Sequence, residues 1–111
     1  MTDMDFLDAA EKVFNAIEIC CDEVNACTDA DIDNLRHGNA LTLIFPNDTQ
    51  IVVNLQKPLH EIWVAAQMGG YHFKMSDDGM WRDTREGLEF YSALSSFASQ
   101  QSGMTITFCE K

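Results

Sequence analysis

The sequence lacks the segments and motifs that would place it in a membrane or identify a familiar class of enzyme. Its first residues, Met1-Thr2-Asp3-Met4-Asp5, have neither the basic nor the apolar region of a signal peptide. No apolar run approaches the roughly 20 residues that span a bilayer. The chain has no GxSxG, P-loop or GxGxxG motif, and its 3 histidines share no metal-ligand spacing. We therefore expect a cytoplasmic protein that is not an enzyme.

Basic residues are also scarce. The chain has 7 Lys and Arg against 18 Asp and Glu, a formal net charge of −11. This charge repels nucleic acids and anionic membrane surfaces, so neither is an expected partner, whereas cations and basic protein surfaces are attracted. A role in solubility alone is the alternative. With 111 residues, 46% of them hydrophobic, and no linker-like segment, the chain is expected to form a single domain over residues 1–111.

The cysteines do not form a metal-binding pattern. The 4 cysteines are Cys20, Cys21, Cys27 and Cys109, and no CxxC pair is present, so a structural zinc site has little support. In a reducing cytosol we expect free thiols that pack as small hydrophobic side chains.

Hydrophobic periodicity predicts two helices that flank a set of short strands. The helices run from about Met4 to Asn25 and from about Leu88 to Gln101. Strands are predicted at Ala40–Phe45, Gln50–Gln56, Glu61–Gln67, Tyr71–Met75 and Met80–Arg82, with a more polar one at Asp29–Arg36 and a closing strand or extended tail at Thr105–Phe108. Short turns favour antiparallel neighbours. We predict an α+β fold, a two-layer α/β sandwich with both helices on one face of an antiparallel sheet of about five or six strands.

Carboxylates follow one side of the first helix and continue beyond it. The set consists of Asp8, Glu11, Glu18, Asp22, Glu23, Asp29, Asp31 and Asp33. Those on the helix are spaced to share a face, and the last three alternate with apolar residues, so an extended strand would point them the same way. Acids at a helix C-terminus and like charges at i,i+4 weaken a helix, which suggests another use. We expect a surface free of compensating basic side chains that binds hard cations weakly, with a solvated face without a ligand as the alternative.

A second candidate surface lies on the predicted sheet. If the apolar residues of two central strands face the helices, then Asn54, Gln56 and Trp63 face away from them. Tryptophan is enriched at interaction hot spots, so these residues are candidates for partner binding. The alternative is that Trp63 packs flat on its neighbours and binds nothing.

Two segments resemble a known family. The run NLQKPLHEIW at Asn54–Trp63, followed by GGYHF at Gly69–Phe73, closely resembles the signature of the frataxin family in its bacterial form. The resemblance extends from Phe6 through the second helix and implies a sandwich of two helices on an antiparallel sheet. It also implies an accessory protein of iron–sulfur cluster assembly that binds iron (Fe²⁺ or Fe³⁺) weakly at its surface. The implied partners are the cysteine desulfurase and the iron–sulfur scaffold protein, and the implied state without iron is a monomer.

The resemblance also assigns residues. Six acids match the family's acidic ridge, which binds iron and docks onto a basic surface of the desulfurase: Glu18, Asp22, Glu23, Asp29, Asp31 and Asp33. Asn54, Gln56 and Trp63 match the sheet positions that the family uses against the assembly machinery. The chain departs from the family in having fewer acids between positions 22 and 29, Ile19 in the helix, and Leu7 where some bacterial members have His. We therefore expect a lower iron capacity, and the extra Cys20, Cys21 and Cys27 beside the ridge are either incidental or soft ligands.

Two other functions stay open. The chain could be a metal-independent interaction module whose iron binding is incidental. It could also be a ferroxidase, although exposed carboxylates alone provide little preorganisation for a redox site.

Overall fold

Two helices and six strands make up the fold. The computed structural model describes residues 1–111. In chain order the elements are α1 (Asp3–Cys27), β1 (Asp33–His37), β2 (Ala40–Ile44), β3 (Gln50–Gln56), β4 (Glu61–Ala66), β5 (Gly69–Met75), β6 (Trp81–Asp83) and α2 (Phe90–Ser102), with a 3₁₀ turn at Lys57–Leu59. The predicted α+β sandwich is confirmed. Neither helix combines the length and the apolar character needed to cross a membrane.

Helix α1 begins at a capping box. The Thr2 hydroxyl accepts a hydrogen bond from the Asp5 amide at 3.0 Å, and the Thr2 amide donates to the Asp5 carboxylate at 3.2 Å. Asp3 and Asp5 in the first turn complement the helix dipole, but the last turn has no basic residue. The helix is therefore well stabilised at its start, but no residue of the helix itself compensates the negative charge at its C-terminal end.

The sheet follows the chain order. Its strands are adjacent in the order β1-β2-β3-β4-β5-β6, and each neighbouring pair is antiparallel. Because paired residues share a face, Val53 and Val64 pair on the inner face, which packs against the helices. Asn54 pairs with Trp63, and Trp63 with His72, on the outer face. The register thus separates the core from the surface predicted for partner binding.

The core contains 25 buried residues and extends into the C-terminal tail. After α2 the chain runs without regular secondary structure, in agreement with the predicted extended tail. Ile106 and Phe108 are buried, and their amides each donate to a serine hydroxyl of α2, Ser99 and Ser95, at 2.8 Å. The tail is therefore anchored along α2 up to residue 108.

A buried carboxylate organises the turn between β6 and α2. Asp83 is only 7% exposed, and its oxygens accept hydrogen bonds from the amides of Arg85, Glu86 and Leu88 at 2.9, 3.0 and 2.9 Å. Burial on its own raises the pKa of Asp83, but these amide donors outweigh it and hold the pKa below its ordinary value.

The strand predicted at Asp29–Arg36 is wrong in its first half. Strand β1 begins at Asp33, and Asp31 has a φ of 50°, in the left-handed region that interrupts extended backbone. Ala30 and Ile32 are buried and the three aspartates are exposed, so the alternation of burial survives. The alternation of apolar residues therefore predicted the buried side chains correctly, but the backbone of this segment is a loop and not a strand.

Candidate functional site

Arginine 36 binds the middle of helix α1 and neutralises part of the predicted acidic surface. From the inner face of β1 its guanidinium donates to both oxygens of Glu11, at 2.9 and 2.8 Å, and to Glu18 at 3.0 Å. It also donates to Asn15 at 3.1 Å and lies over the Phe14 ring, 5.1 Å from the centroid. The Glu11 carboxylate, and then Glu18, raise the pKa of Arg36. The expectation of a surface free of basic partners is therefore wrong at Glu11 and Glu18.

Glu23 is engaged from the other side of the helix. The ammonium of Lys111, at the end of the C-terminal tail, donates to Glu23 at 2.7 Å. Both side chains are partly exposed, so solvent screens the pair and its contribution to stability is small. The expectation of uncompensated charge is wrong here as well, and Glu23 is directed towards the tail.

Four members of the ridge remain without an ion pair: Asp22, Asp29, Asp31 and Asp33. We call them the unpaired quartet. All four are exposed. Ten of the 18 acidic residues of the chain lie in its first 33 positions, where Lys12 is the only basic residue. The quartet is therefore the open end of a strongly negative region.

Asn25 holds the loop that carries two members of the quartet, Asp29 and Asp31. Its side-chain oxygen accepts from the Ile32 amide at 2.9 Å, and its side-chain nitrogen donates to the Ile32 carbonyl at 2.8 Å. Thr28 adds a further link, because its hydroxyl accepts from the Ala30 amide at 3.1 Å. These bonds fix the loop to the last turns of α1 and so place Asp29 and Asp31 beside the helix end.

The geometry does not provide a closed metal site. No group of three or more His, Cys, Asp or Glu side chains is arranged to hold a metal ion. The donors of the quartet are carboxylate oxygens, which suit hard cations, but they are spread over a helix end, a loop and a strand. A bound cation would have few protein ligands and would keep most of its water.

Asp8 does not share the surface of the quartet. It lines a groove of about 880 Å³ between α1, α2, the β5–β6 hairpin and the C-terminal tail, together with Lys12. Helical spacing places Asp8 about one turn from Glu11 and about 60° around the helix axis from it, and this offset is enough to put the two side chains in different neighbourhoods.

The outer sheet face carries an aromatic stack. The rings of Trp63 and His72 are stacked with centroids 4.1 Å apart and planes 5° apart. The Trp63 indole donates to the Glu61 carboxylate at 2.8 Å, and His72 Nδ1 lies 3.7 Å from the same oxygen. Trp63 therefore lies flat and half-buried, held by Glu61 of its own strand and by His72 of the neighbouring strand β5.

The predicted sheet residues share this outer face. Asn54 is the cross-strand neighbour of Trp63, and Gln56 lies two positions along β3 from Asn54. The Asn54 side-chain oxygen is buried and has no hydrogen-bond partner within the chain. Such an orphaned acceptor costs stability, so a donor from outside the chain would find a favourable position there.

Sequence reasoning missed four residues that shape these surfaces: Arg36, Asn25, His72 and Lys111. In the sequence, Arg36 ends the predicted polar strand, Asn25 ends the first predicted helix, and His72 lies in the predicted strand Tyr71–Met75. The i,i+4 and i,i+3 spacing of Glu11, Asn15 and Glu18 could have indicated a common partner. No comparable signal existed for Lys111, because it lies 88 positions from Glu23.

Comparison with known proteins gives matches over nearly the whole chain. A family model described as a frataxin-like domain matches residues 1–104. The iron-sulfur cluster assembly protein CyaY of Paracidovorax citrulli (strain AAC00-1) is 56% identical over 108 residues, which are 97% of this chain and 97% of that protein. The solved structure of frataxin from Psychromonas ingrahamii has a TM-score of 0.88 and 36% identity, and the match covers 99% of this chain and 100% of that chain.

A more distant structure has the same fold. Trimeric frataxin from Saccharomyces cerevisiae, complexed with ferrous iron, has a TM-score of 0.71 and 22% identity, with 84% of this chain and 83% of that chain covered. At this identity the likeness extends to the fold alone.

Proposed function

The chain belongs to the frataxin family, as its NLQKPLHEIW and GGYHF segments predicted, and we propose that it is an iron-binding accessory protein of iron–sulfur cluster assembly. It acts on the complex of a cysteine desulfurase with an iron–sulfur scaffold protein and adjusts the rate at which iron and sulfide are combined. It works as a single-domain cytoplasmic protein, monomeric without iron, and does so without catalysing a reaction itself.

The observation that carries this proposal is the unpaired quartet at the open end of the negative region. Its carboxylates are exposed and have no basic partner, in contrast to Glu18 and Glu23. A net charge of −11 adds a long-range field that attracts a basic protein surface and speeds association. Because such attraction is screened over about 8–10 Å at physiological salt, partner binding should weaken as salt rises.

Iron is the cargo of this surface. Carboxylate oxygens suit Fe³⁺ and, less strongly, Fe²⁺, and a site with few protein ligands binds weakly and releases its ion readily. Asp22 and the loop aspartates would approach the ion from the helix end, and Asn25 keeps that loop in place. Glu18 and Glu23, also predicted as ligands, contribute only if Arg36 and Lys111 release them.

The outer sheet face completes docking. The stacked Trp63 and His72 rings form a flat, partly apolar platform, and Asn54 and Gln56 add amides beside it. Aromatic platforms of this kind concentrate binding energy at protein interfaces. The acidic quartet would thus steer the partner, and the platform would hold it.

A metal-independent interaction module is the second candidate function. It is favoured by the lack of any three-ligand cluster and by the two ridge residues already in ion pairs. In this case the quartet binds the desulfurase directly, and iron binding has no part in regulation.

The triple substitution Asp29→Asn, Asp31→Asn and Asp33→Asn tests the proposal. We expect it to weaken both iron binding and binding to the desulfurase and to flatten the salt dependence of the latter. The matched control is Asp48→Asn, Asp77→Asn and Glu86→Gln, which removes the same charge from exposed positions elsewhere. If both triple variants behave alike, net charge alone explains the binding and the proposal is wrong.

Two further measurements separate the alternatives. If the metal-free protein regulates the desulfurase, and the first triple variant does not, the result favours the interaction module. To test for a ferroxidase, the protein is loaded with Fe²⁺ under anaerobic conditions and oxygen uptake is measured after aeration. A rate above that of free iron would contradict the proposed lack of catalysis.

A further inference from the structure

Two cysteines distant in sequence meet where the C-terminal tail crosses helix α1. The thiol of Cys20 donates to the carbonyl oxygen of Cys109 at 3.5 Å. Burial raises the pKa of the Cys20 thiol, and direct interaction with the Cys109 side chain adds to the rise. Both thiols are free, and the two residues lie 89 positions apart. The fold therefore brings together a pair that no sequence spacing indicates.

The two members of the pair differ in access. Cys20 is buried at 2% exposure, whereas Cys109 is exposed and lines the groove between α1 and α2. A small oxidant can reach Cys109 through the groove and cannot reach Cys20 directly. This combination of an accessible thiol and a protected neighbour is typical of cysteine pairs that form a disulfide on oxidation.

The tail around Cys109 is held on both sides. Phe108 is buried and its amide donates to Ser95, while Lys111 donates to Glu23. Between these anchors the backbone of residue 109 already contacts the Cys20 sulfur, so rotation of the Cys109 side chain is the main movement required. A disulfide thus needs no rearrangement of either helix.

We propose that Cys20 and Cys109 are a redox modification site, at which a hydroperoxide converts the thiol pair into a disulfide that joins the C-terminal tail to helix α1.

The chemistry proceeds in two steps. The Cys109 sulfur attacks one oxygen of the peroxide, the O–O bond breaks, and Cys109 becomes a sulfenic acid, while the other oxygen takes the Cys109 thiol proton and leaves as an alcohol or water. The Cys20 sulfur then attacks the Cys109 sulfur, the S–O bond breaks, and water leaves with the Cys20 proton. The two thiols together lose two electrons, and the peroxide accepts both of them. A reducing thiol pool restores the free pair by exchange.

Oxidation also affects a predicted iron ligand. The disulfide fixes the tail two residues before Lys111 and so keeps the ammonium beside Glu23. This consequence rests on the proposed function, whereas formation of the disulfide does not.

The test uses the full chain treated with hydrogen peroxide at one equivalent, followed by alkylation, proteolysis and mass spectrometry. We expect a mass lower by two hydrogen atoms and a cross-linked peptide whose fragments place the bond between Cys20 and Cys109. Cys27→Ser, which removes the other exposed cysteine, should leave this product unchanged, and Cys109→Ser should abolish it. In Cys20→Ser, a sulfenic acid probe should label Cys109, because no neighbouring thiol remains to displace it.

Two results would overturn the inference. One is a disulfide in the wild type that involves Cys27 in place of Cys20. The other is equal labelling of Cys27 and Cys109 as sulfenic acids in the wild type, without a Cys20–Cys109 peptide. Because these products are identified without iron, failure here is distinguishable from failure of the proposed function.

Discussion

Replacing Asn25 with alanine should release the acidic loop from helix α1. The substitution removes both hydrogen bonds to Ile32, at 2.9 and 2.8 Å, and leaves the amide and carbonyl of a residue that is 1% exposed without partners. Each unsatisfied buried group costs about 1–3 kcal/mol. Because Asn25 itself is exposed and water can replace part of the interaction, we take the low end, about 2 kcal/mol in total.

Asn15→Ala is the matched control. It is the same substitution on the same helix, so the gain in helix propensity cancels, but it removes only one exposed bond to Arg36. Urea unfolding followed by circular dichroism should give a midpoint for Asn25→Ala lower than that of the control by about 1 M, at slopes usual for small domains. Hydrogen exchange at the Ile32 amide should accelerate in Asn25→Ala only. Equal midpoints and unchanged exchange would refute the role assigned to Asn25.

Three further predictions concern other parts of the molecule. Because the folded pKa of Asp83 lies below its unfolded value of about 3.9, its contribution is complete above that pH and is lost as pH falls through the folded pKa. In Asp83→Asn, urea midpoints measured from acid to neutral pH should therefore vary less with pH. Arg36→Gln should release Glu11 and Glu18, which raises the Fe²⁺ affinity measured by anaerobic calorimetry while lowering stability by less than about 2 kcal/mol. Trp63→Ala should weaken desulfurase binding in a pull-down or calorimetric titration without changing its salt dependence, because it removes contact area and no charge.

The architecture was predictable because it follows from the local spacing of apolar residues along the chain. Val53 and Leu55 alternate with polar residues in β3, and Phe6, Ala10 and Ile17 recur at helical spacing in α1. The side chains that face the core follow directly from these periods. The frataxin signature predicted the family. The predicted fold and the predicted family were both confirmed.

The state of the acidic surface was not predictable in the same way. Arg36 reaches Glu18 across 18 positions, and Lys111 reaches Glu23 across 88, so both ion pairs depend on how the elements are assembled. The left-handed backbone of Asp31 is likewise set by the loop that Asn25 anchors, and a pattern of alternating burial cannot distinguish it from a strand. Sequence therefore indicates which residues are acidic and exposed, while the fold decides which of them remain without partners.

The central claim is that the unpaired quartet binds both iron and the basic surface of the desulfurase. An amide NMR titration of the wild type, first with Fe²⁺ under anaerobic conditions and then with purified metal-free desulfurase, tests it most directly. The account predicts that iron selectively broadens, and the partner shifts, the amides of Asp22 and of residues 29–33, and that both effects are lost in the triple Asp→Asn variant. Broadening spread evenly over distant acids such as Asp48 and Asp77, or perturbations that persist in the variant, would contradict it.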